Sequence, residues 1–233
     1  MKRRPSTRLE RAIDTLRRVH GVVQSPIATD PFALILWEQV GYLVDDARRR
    51  KAFERLETET GLTPEGVLET SKSKLVAIAK TAGTIAANER AERMRTSALL
   101  VVEEWSGDLT TLLDLPLADA KRGLKKFPMI GDAGAERILL IARRLRALPL
   151  ESNGLRVLLR LGYGHEAKSY ATTYRSVQTA LGSEIREDYR WLWKAHQLLR
   201  QHGQRLCKST SPRCVDCPLT SGCRFYSSAG QRV

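Results

Sequence analysis

The sequence of 233 residues has no long apolar run and almost no segments in which apolar and polar residues alternate. The first absence excludes a membrane-spanning helix, which needs roughly 18 uninterrupted apolar residues. No apolar segment follows the basic N-terminus that could act as a signal peptide. The second absence argues against β-strands. We therefore expect an all-α, intracellular protein with no membrane partner.

Acidic residues are scarce relative to basic ones, with 26 Asp and Glu against 39 Lys and Arg. The resulting net charge of +13 and the pI near 10.0 are typical of a protein that meets a polyanion. Hydrophobic residues make up 42% of the chain and the mean hydropathy is −0.32, which excludes wholesale disorder and allows an ordinary core. At this length we expect one or two domains.

Cysteine is absent from the first 206 residues, and all four cysteines then fall within seventeen residues in the spacing C-x6-C-x2-C-x5-C. They are Cys207, Cys214, Cys217 and Cys223. Four clustered thiols in an intracellular protein are typical of metal ligands and argue against disulfides. The spacing alone leaves two candidates open, a tetrahedral zinc ion and a [4Fe–4S] cluster.

Apolar residues recur at helical spacing through most of the chain. Leu9, Ile13, Leu16 and Val19 predict an amphipathic first helix. Further helical patterns cover residues 31–56, residues 63–80 after a capping threonine, and residues 86–105 before Gly107. The remaining segments up to residue 201 also have helical patterns.

The residues around the cysteines closely resemble the iron–sulfur loop of endonuclease III and the adenine DNA glycosylases. The resemblance includes residues 196–207, the cysteine spacing, and Pro218 directly after the third cysteine. It implies that the four cysteines hold a [4Fe–4S] cluster with a structural and DNA-contacting role. Lys208 and Arg213 lie in this loop, and basic residues there suit contacts to DNA phosphates.

A second motif, Phe-Pro-Met-Ile-Gly-Asp-Ala-Gly-Ala, occupies residues 127–135. Alone it is either a simple interhelical turn or a phosphate-binding hairpin. It is similar to the helix-hairpin-helix motif of the same superfamily, L-P-G-V-G-x-x-T-A, with Met129 in place of the first glycine. The resemblance implies DNA contacts at Met129, Gly131 and Ala133. The first helix of the hairpin carries three lysines that the spacing brings to no common point: Lys121, Lys125 and Lys126.

The family's catalytic carboxylate follows the hairpin by about twenty residues, and the register places it on Glu151, with Asn153 on the asparagine of the adenine-glycosylase variant. A carboxylate suits the oxocarbenium-like transition state of N-glycosidic cleavage. Glutamate adds a methylene to the family's aspartate, which moves the charge by about 1.5 Å. The alternative is structural: Ser152 or Asn153 caps a helix that begins at Gly154, and Glu151 has no chemical role.

Residues 30–40 look like the adenine-glycosylase segment D-P-Y-x5-E, whose glutamate protonates the departing purine. Glu38 matches that glutamate, and its apolar neighbours would favour an acid. Its alternative position is the exposed face of a helix. Tyr42 stands in the region of the family's intercalating glutamine and could wedge into the gap left by a flipped base.

The resemblance covers residues 30–223 and implies a two-domain helix-hairpin-helix DNA glycosylase fold. A six-helix domain would span residues 30–146, an iron–sulfur cluster domain residues 1–29 and 147–233, and DNA would bind in the cleft between them. In bifunctional members a lysine occupies the position of Ala133, so we expect a monofunctional glycosylase with weak or absent lyase activity. The alternatives are a non-catalytic iron–sulfur DNA-binding protein and an abasic-site lyase.

The expected partner is double-stranded DNA with a modified or mispaired base, bound by a monomer, cytoplasmic and nucleoid-associated in a prokaryote. The chain ends ten residues after Cys223, without the further domain by which adenine glycosylases recognise oxidised guanine. Specificity for adenine opposite that lesion is therefore not expected.

Overall fold

The computed structural model describes residues 5–41 and 44–229. These residues form thirteen α-helices and no strand, so the predicted all-α class is confirmed. Tyr42 lies outside the described residues. The helices are α1 (Arg8–His20), α2 (Pro31–Val40), α3 (Asp46–Thr60), α4 (Pro64–Glu69), α5 (Lys72–Ala82), α6 (Ala87–Trp105), α7 (Thr110–Asp114), α8 (Leu117–Leu124), α9 (Asp132–Ile141), α10 (Ser152–Arg160), α11 (Tyr170–Leu181), α12 (Tyr189–Arg205) and α13 (Arg224–Ala229). None of the described helices is long and apolar enough to cross a membrane.

Short polar side chains set where most helices begin. Asp30 caps α2, accepting a hydrogen bond of 2.8 Å from the amide of Ala33. The predicted helical segment 31–56 is in fact two helices, because the chain is extended at Gly41 and Asp45 caps a new helix. The segment 63–80 is divided in the same way, because Ser71 caps α5.

The first compact unit spans Pro26–Leu145 and contains α2 to α9. Two of these helices, α4 and α7, have only six and five residues, which leaves six longer ones. The long helix α6 packs against α2, α4 and α5. Its buried face is formed by Ala91, Met94, Ala98 and Val101, and their spacing of three or four residues is that of one helix face.

Arg90 is the largest fully buried side chain of this unit, at 1% exposure. Its guanidinium donates hydrogen bonds to the carbonyl oxygens of Val40, at 2.7 Å, and of Gly83. It thereby joins the end of α2 and the end of α5 to α6. Burial lowers the pKa of Arg90, but arginine stays protonated in proteins, so a full charge is held in the core by backbone carbonyls.

The second unit comprises Met1–Ser25 and Arg146–Val233, of which residues 5–25 and 146–229 are described. It contains α1 and α10 to α13, and α12 packs against both α1 and α10. The predicted first helix is confirmed as α1, with Leu9, Ile13 and Leu16 fully buried. Val19, in its last turn, is 52% exposed and does not belong to the buried face. Asp188 caps α12 through a hydrogen bond of 2.6 Å from the amide of Trp191.

Replacing Arg90 with methionine should destabilise the protein, because the side chain keeps its length while buried carbonyls lose their donor. We expect a loss on the order of 3 kcal/mol in the free energy of unfolding, measured by urea denaturation. Lys51→Met, at an exposed position on α3, is the control and should change it by less than about 0.5 kcal/mol. Equal effects of the two substitutions would contradict the role given to Arg90.

Candidate functional site

The hairpin between α8 and α9 adopts a backbone shape that its sequence does not favour. Met129 has a φ of 69°, in the left-handed region, and its side chain is 51% exposed. This conformation suits glycine and costs other residues roughly 1–2 kcal/mol. Gly131 is extended and precedes α9 without a side-chain cap. The hairpin therefore keeps a glycine-like turn at a position where this chain has methionine.

A buried amide connects the hairpin to the core of its unit. Gln39, on α2, donates hydrogen bonds to the carbonyl oxygen of Pro128, at 2.9 Å, and to the hydroxyl of Ser97, at 2.7 Å. Gln39 is only 1% exposed. The carbonyl directly before Met129 is therefore held in place from the interior.

Two hairpin lysines converge, contrary to the expectation from their spacing. The Nζ atoms of Lys121 and Lys125 lie 3.4 and 3.0 Å from the same oxygen of Asp132, the first residue of α9. Lys121 also binds Glu136 at 2.6 Å. Their spacing of four residues does place both lysines on one face of the hairpin's first helix, so the expectation that they reach no common point is wrong. Their shared partner Asp132 depends on the packing of α8 against α9, which the sequence does not show. Lys126 instead pairs with Glu104 on α6.

The charge around Lys121 keeps it protonated. Burial alone lowers its pKa, but the hydrogen bond and charge of Glu136, together with Asp132, raise the pKa above its ordinary value. A protonated lysine has no free electron pair and is a poor nucleophile.

In the other unit, side chains fix the segment that precedes α10. Three successive carbonyl oxygens, those of Leu148, Pro149 and Leu150, each accept a side-chain hydrogen bond. The donors are Gln178 at 2.8 Å, His196 at 2.8 Å and Tyr170 at 2.9 Å, in that order. Because a carbonyl can only accept, the Nδ1 atom of His196 carries a proton.

Glu151 follows this segment and caps α10 with its own carboxylate. One oxygen accepts from the amide of Gly154 at 2.6 Å, and the other from the side-chain amide of Asn153 at 2.7 Å. The suggestion that Ser152 or Asn153 caps the helix is therefore wrong, because the helix begins at Ser152 and Glu151 is its cap. Arg156 donates to the side-chain oxygen of Asn153 at 2.8 Å, which directs the amide nitrogen of Asn153 to Glu151.

Glu38 has an ionic neighbour instead of the apolar setting expected from sequence. Its carboxylate pairs with the guanidinium of Arg137 on α9, and both side chains are largely buried. A guanidinium stabilises the ionised form of a carboxyl, so proton donation by Glu38 requires this pair to separate. The pairing arises because α2 packs against α9, which the sequence does not show.

The four cysteines are partly buried and influence one another electrostatically. Burial raises the pKa of the Cys214 and Cys217 thiols, and the neighbouring thiols of Cys207 and Cys223 raise both further. Bound iron or zinc would relieve this repulsion because metals take thiolates. The four residues thus fit a metal-bound group chemically.

The cysteine loop is joined to α10 by two arginines. Arg160 donates to the sulfur of Cys207 at 3.3 Å and to the carbonyl oxygen of Lys208 at 2.7 Å. Arg156 donates to the carbonyl oxygens of Cys207, at 2.8 Å, and Gly203, at 2.9 Å. These contacts connect the candidate metal ligands to the helix that Glu151 begins.

Within residues 5–41 and 44–229, no three His, Cys, Asp or Glu side chains are grouped so that they could hold a single metal ion. A tetrahedral zinc site needs its sulfurs within about 2.3 Å of one centre. A cubane cluster instead gives each thiolate its own iron, so its ligands are spread more widely.

Comparisons with known proteins agree with this architecture, although no family model matches the sequence. The chain is 26% identical to endonuclease III of Sulfolobus acidocaldarius over 196 residues, which cover 84% of this chain and 82% of that protein. It is 26% identical to endonuclease III of Thermotoga maritima over 204 residues, 87% of each chain.

Solved structures have the same fold. A trapped covalent intermediate of endonuclease III with DNA is similar with a TM-score of 0.72 at 20% identity, over 94% of this chain and 96% of that one. A thermostable thymine-DNA glycosylase has the same score at 16% identity, over 94% of this chain and 97% of that one. The chain is thus similar to endonuclease III in sequence and has the helix-hairpin-helix DNA glycosylase fold.

Within this superfamily fold, the structure groups the sequence-predicted residues into local sets. Met129, Gly131 and Ala133 lie at the hairpin, Ala133 in the first turn of α9. Glu151 and Asn153 are in contact. In the cysteine loop Lys208 is exposed, whereas Arg213 pairs with Asp216 at 2.6 Å.

Sequence reasoning missed the partners of the predicted carboxylates and cysteines. The sequence around Arg137 does not indicate its pairing with Glu38, because the two residues are 99 positions apart. Arg156 and Arg160 do give a local signal: they are four residues apart and therefore share a face of α10.

Met129→Gly should stabilise this endonuclease III-like chain, because glycine adopts a φ of 69° without strain. Met129→Ala is the matched control, since it removes the same exposed side chain but keeps a Cβ atom. We expect the glycine variant to exceed the alanine variant by about 1 kcal/mol in the free energy of unfolding. A glycine variant no more stable than the alanine variant would show that the left-handed turn does not form in solution.

Proposed function

We propose that the protein is a DNA glycosylase of base excision repair that hydrolyses the N-glycosidic bond of a base flipped out of duplex DNA. The observation that carries this proposal is the fixed carboxylate of Glu151. The sequence resemblance aligns Glu151 with the family's catalytic aspartate, and its carboxylate is oriented through both oxygens. The endonuclease III relatives and the net charge of +13 support DNA as the substrate.

The proposed reaction breaks the bond between C1′ of the sugar and the base nitrogen, and water adds to C1′. Positive charge develops on the sugar in the transition state. The ionised carboxylate of Glu151 stabilises that charge and can take the proton that the attacking water releases. Asn153 keeps the carboxylate oriented through its own bond to Arg156.

Glu38 is the proposed proton donor to the departing base. Because it pairs with Arg137, this role requires substrate entry to separate the two side chains.

We infer that the enzyme is monofunctional. Lyase chemistry in the family uses a lysine at the position of Ala133, and alanine has no nucleophile. Lys121 approaches the same turn, but its bonds to Glu136 and Asp132 keep it protonated. Among the described residues around the hairpin, we therefore find no lysine suited to attack the sugar.

We also propose that Cys207, Cys214, Cys217 and Cys223 hold a [4Fe–4S] cluster. The resemblance of residues 196–223 to the iron–sulfur loop, together with the similarity to endonuclease III, supports it over zinc. The cluster would supply structural stability and a rigid loop for DNA contact, with Lys208 and Arg213 on the loop surface. Four irons per chain, with acid-labile sulfide, would distinguish it from one zinc ion.

Excision by protein with an intact metal centre, assayed on duplexes with deaminated, oxidised, alkylated or mispaired bases, tests the main proposal. Strand breaks should appear only after alkali. Glu151→Gln removes the charge and should lower kcat by about a hundredfold or more. Asp188→Asn, which neutralises the comparable cap of α12, is the matched control and should retain activity. DNA binding without excision from any duplex would favour the non-catalytic protein.

The acid role of Glu38 is tested by comparing Glu38→Gln with Arg137→Met. Loss of a general acid should lower kcat about a hundredfold in the Gln variant only. If the two variants lose the same activity and stability, the ion pair supports the fold and Glu38 is not the acid.

Ala133→Lys should create a lyase, because it restores the family's nucleophile at an accessible turn of α9. The variant should be trapped on damaged DNA by borohydride, which reduces the Schiff base between lysine and sugar, whereas the wild type should not. Ala133→Arg is the control, since it adds the charge without a nucleophilic amine. Trapping of the wild type would contradict the monofunctional proposal and favour the abasic-site lyase.

A further inference from the structure

A groove of about 940 Å³ lies in the second unit and is not used by the proposed reaction. Its walls come from α10, from the loop of residues 164–168, from the start of α11, from Ser209 of the cysteine loop and from α13. Its lining includes Ser152, which follows Glu151 in the sequence, and Arg224, which follows Cys223. Ligand sites in proteins typically have volumes of about 300–1,000 Å³, so the groove is large enough for a ligand with more than one ring.

The groove is strongly positive. Four basic side chains line it, those of Arg156, Arg160, Lys168 and Arg224, against one acidic side chain, that of Glu166. Arg156 and Arg160 donate to carbonyl oxygens, and Arg160 also donates to the sulfur of Cys207, so the positive charge open to a ligand comes chiefly from the other two side chains. Lys168 and Arg224 are exposed to solvent. A phosphate group would therefore be attracted into this groove.

The same groove has an apolar and aromatic side. Leu155 and Leu159 line it from α10, and the side chains of Phe225 and Tyr170 also line it, with 37% and 50% of their area exposed. The guanidinium of Arg160 lies 4.4 Å from the centre of the Phe225 ring. Aromatic rings beside cationic side chains are the combination by which proteins hold unpaired bases and their phosphates.

We propose that this groove binds one or two unpaired nucleotides of a DNA strand. Paired bases are stacked inside the duplex and cannot reach an aromatic wall, so the proposed ligand is single-stranded. The inference rests on the proposed function only in taking DNA as the partner. It adds a strand-binding site that is separate from the cleavage of the base.

The test compares binding of two undamaged DNAs by the full-length protein with its metal centre intact, using fluorescence anisotropy. One is a blunt duplex and the other is the same duplex with a short unpaired tail. The tailed duplex should bind about five- to tenfold more tightly, which is the lower part of the range that one stacked base contributes. Equal binding of the two DNAs by the wild type would overturn the proposal.

Three variants locate the effect. Phe225→Ala should remove most of the preference for the tail. Lys168→Glu, which is distant from the cysteines in sequence, should do the same and should reduce the slope of log K against log salt by about 0.7 for a lost phosphate contact. Lys168→Glu combined with Arg224→Glu should lower tailed-duplex binding further, and the visible absorption of the metal centre reports whether the loop is intact.

The matched control is Lys51→Glu combined with Arg175→Glu, which makes the same change in net charge at exposed positions outside the groove. It should weaken both DNAs equally and keep the preference. Equal weakening of both DNAs by Lys168→Glu would instead mean a general backbone contact and would also overturn the proposal. None of these measurements depends on base excision. The groove proposal can therefore be refuted while the glycosylase proposal stands, and the glycosylase proposal can be refuted while the groove proposal stands.

Discussion

The segment from Leu148 to Glu151 is extended, so its backbone carbonyl groups have no hydrogen-bond partners within a helix. Side chains of the C-terminal helices supply those partners instead. Buried carbonyl groups must find donors. α11 supplies Gln178 and Tyr170, and α12 supplies His196. Two helices are thus bound to one short segment before α10 begins. These bonds hold the segment from which α10 starts and so contribute to fixing the position of the Glu151 carboxylate.

The hairpin satisfies a similar constraint by other means. Its turn requires a left-handed residue, and the chain places Met129 there without the freedom of glycine. The bond from Gln39 to the Pro128 carbonyl holds the turn from the inside, and the lysines that meet Asp132 join its two helices at the surface. Surface ion pairs of this kind contribute little stability. The buried amide is the stronger candidate for the group that maintains the strained turn.

Local features of the sequence predicted much of the fold. The all-α class follows from the spacing of apolar residues. Thr63 correctly predicts the start of α4, and Gly107 predicts the end of α6 to within two residues. The prediction of one continuous helix over residues 31–56 was wrong. The apolar periodicity continues through residues 41–45, but a single side chain, that of Asp45, caps a new helix there. Periodicity reports which face is buried and does not report where the backbone bonds are interrupted.

The candidate site was predictable only where its residues are close in sequence. Glu151 and Asn153 are two residues apart, and the resemblance to a known motif identified both. The pairing of Glu38 with Arg137 depends on two helices that meet in space. The sequence therefore could not show that Glu38 has an ionic partner, because its neighbours along α2 are Trp37 and Gln39.

The arginines of α10 have a thermodynamic consequence. A helix of nine residues is a stiff rod of about 13 Å. One end is closed by Glu151, and the other is bound through Arg160 to the cysteine loop. Linkage makes any coupling carried by these bonds reciprocal: the factor by which a ligand on the loop changes affinity at the helix start equals the factor by which substrate there changes affinity at the loop. A change in affinity at one end of α10 would therefore measure occupancy at the other end.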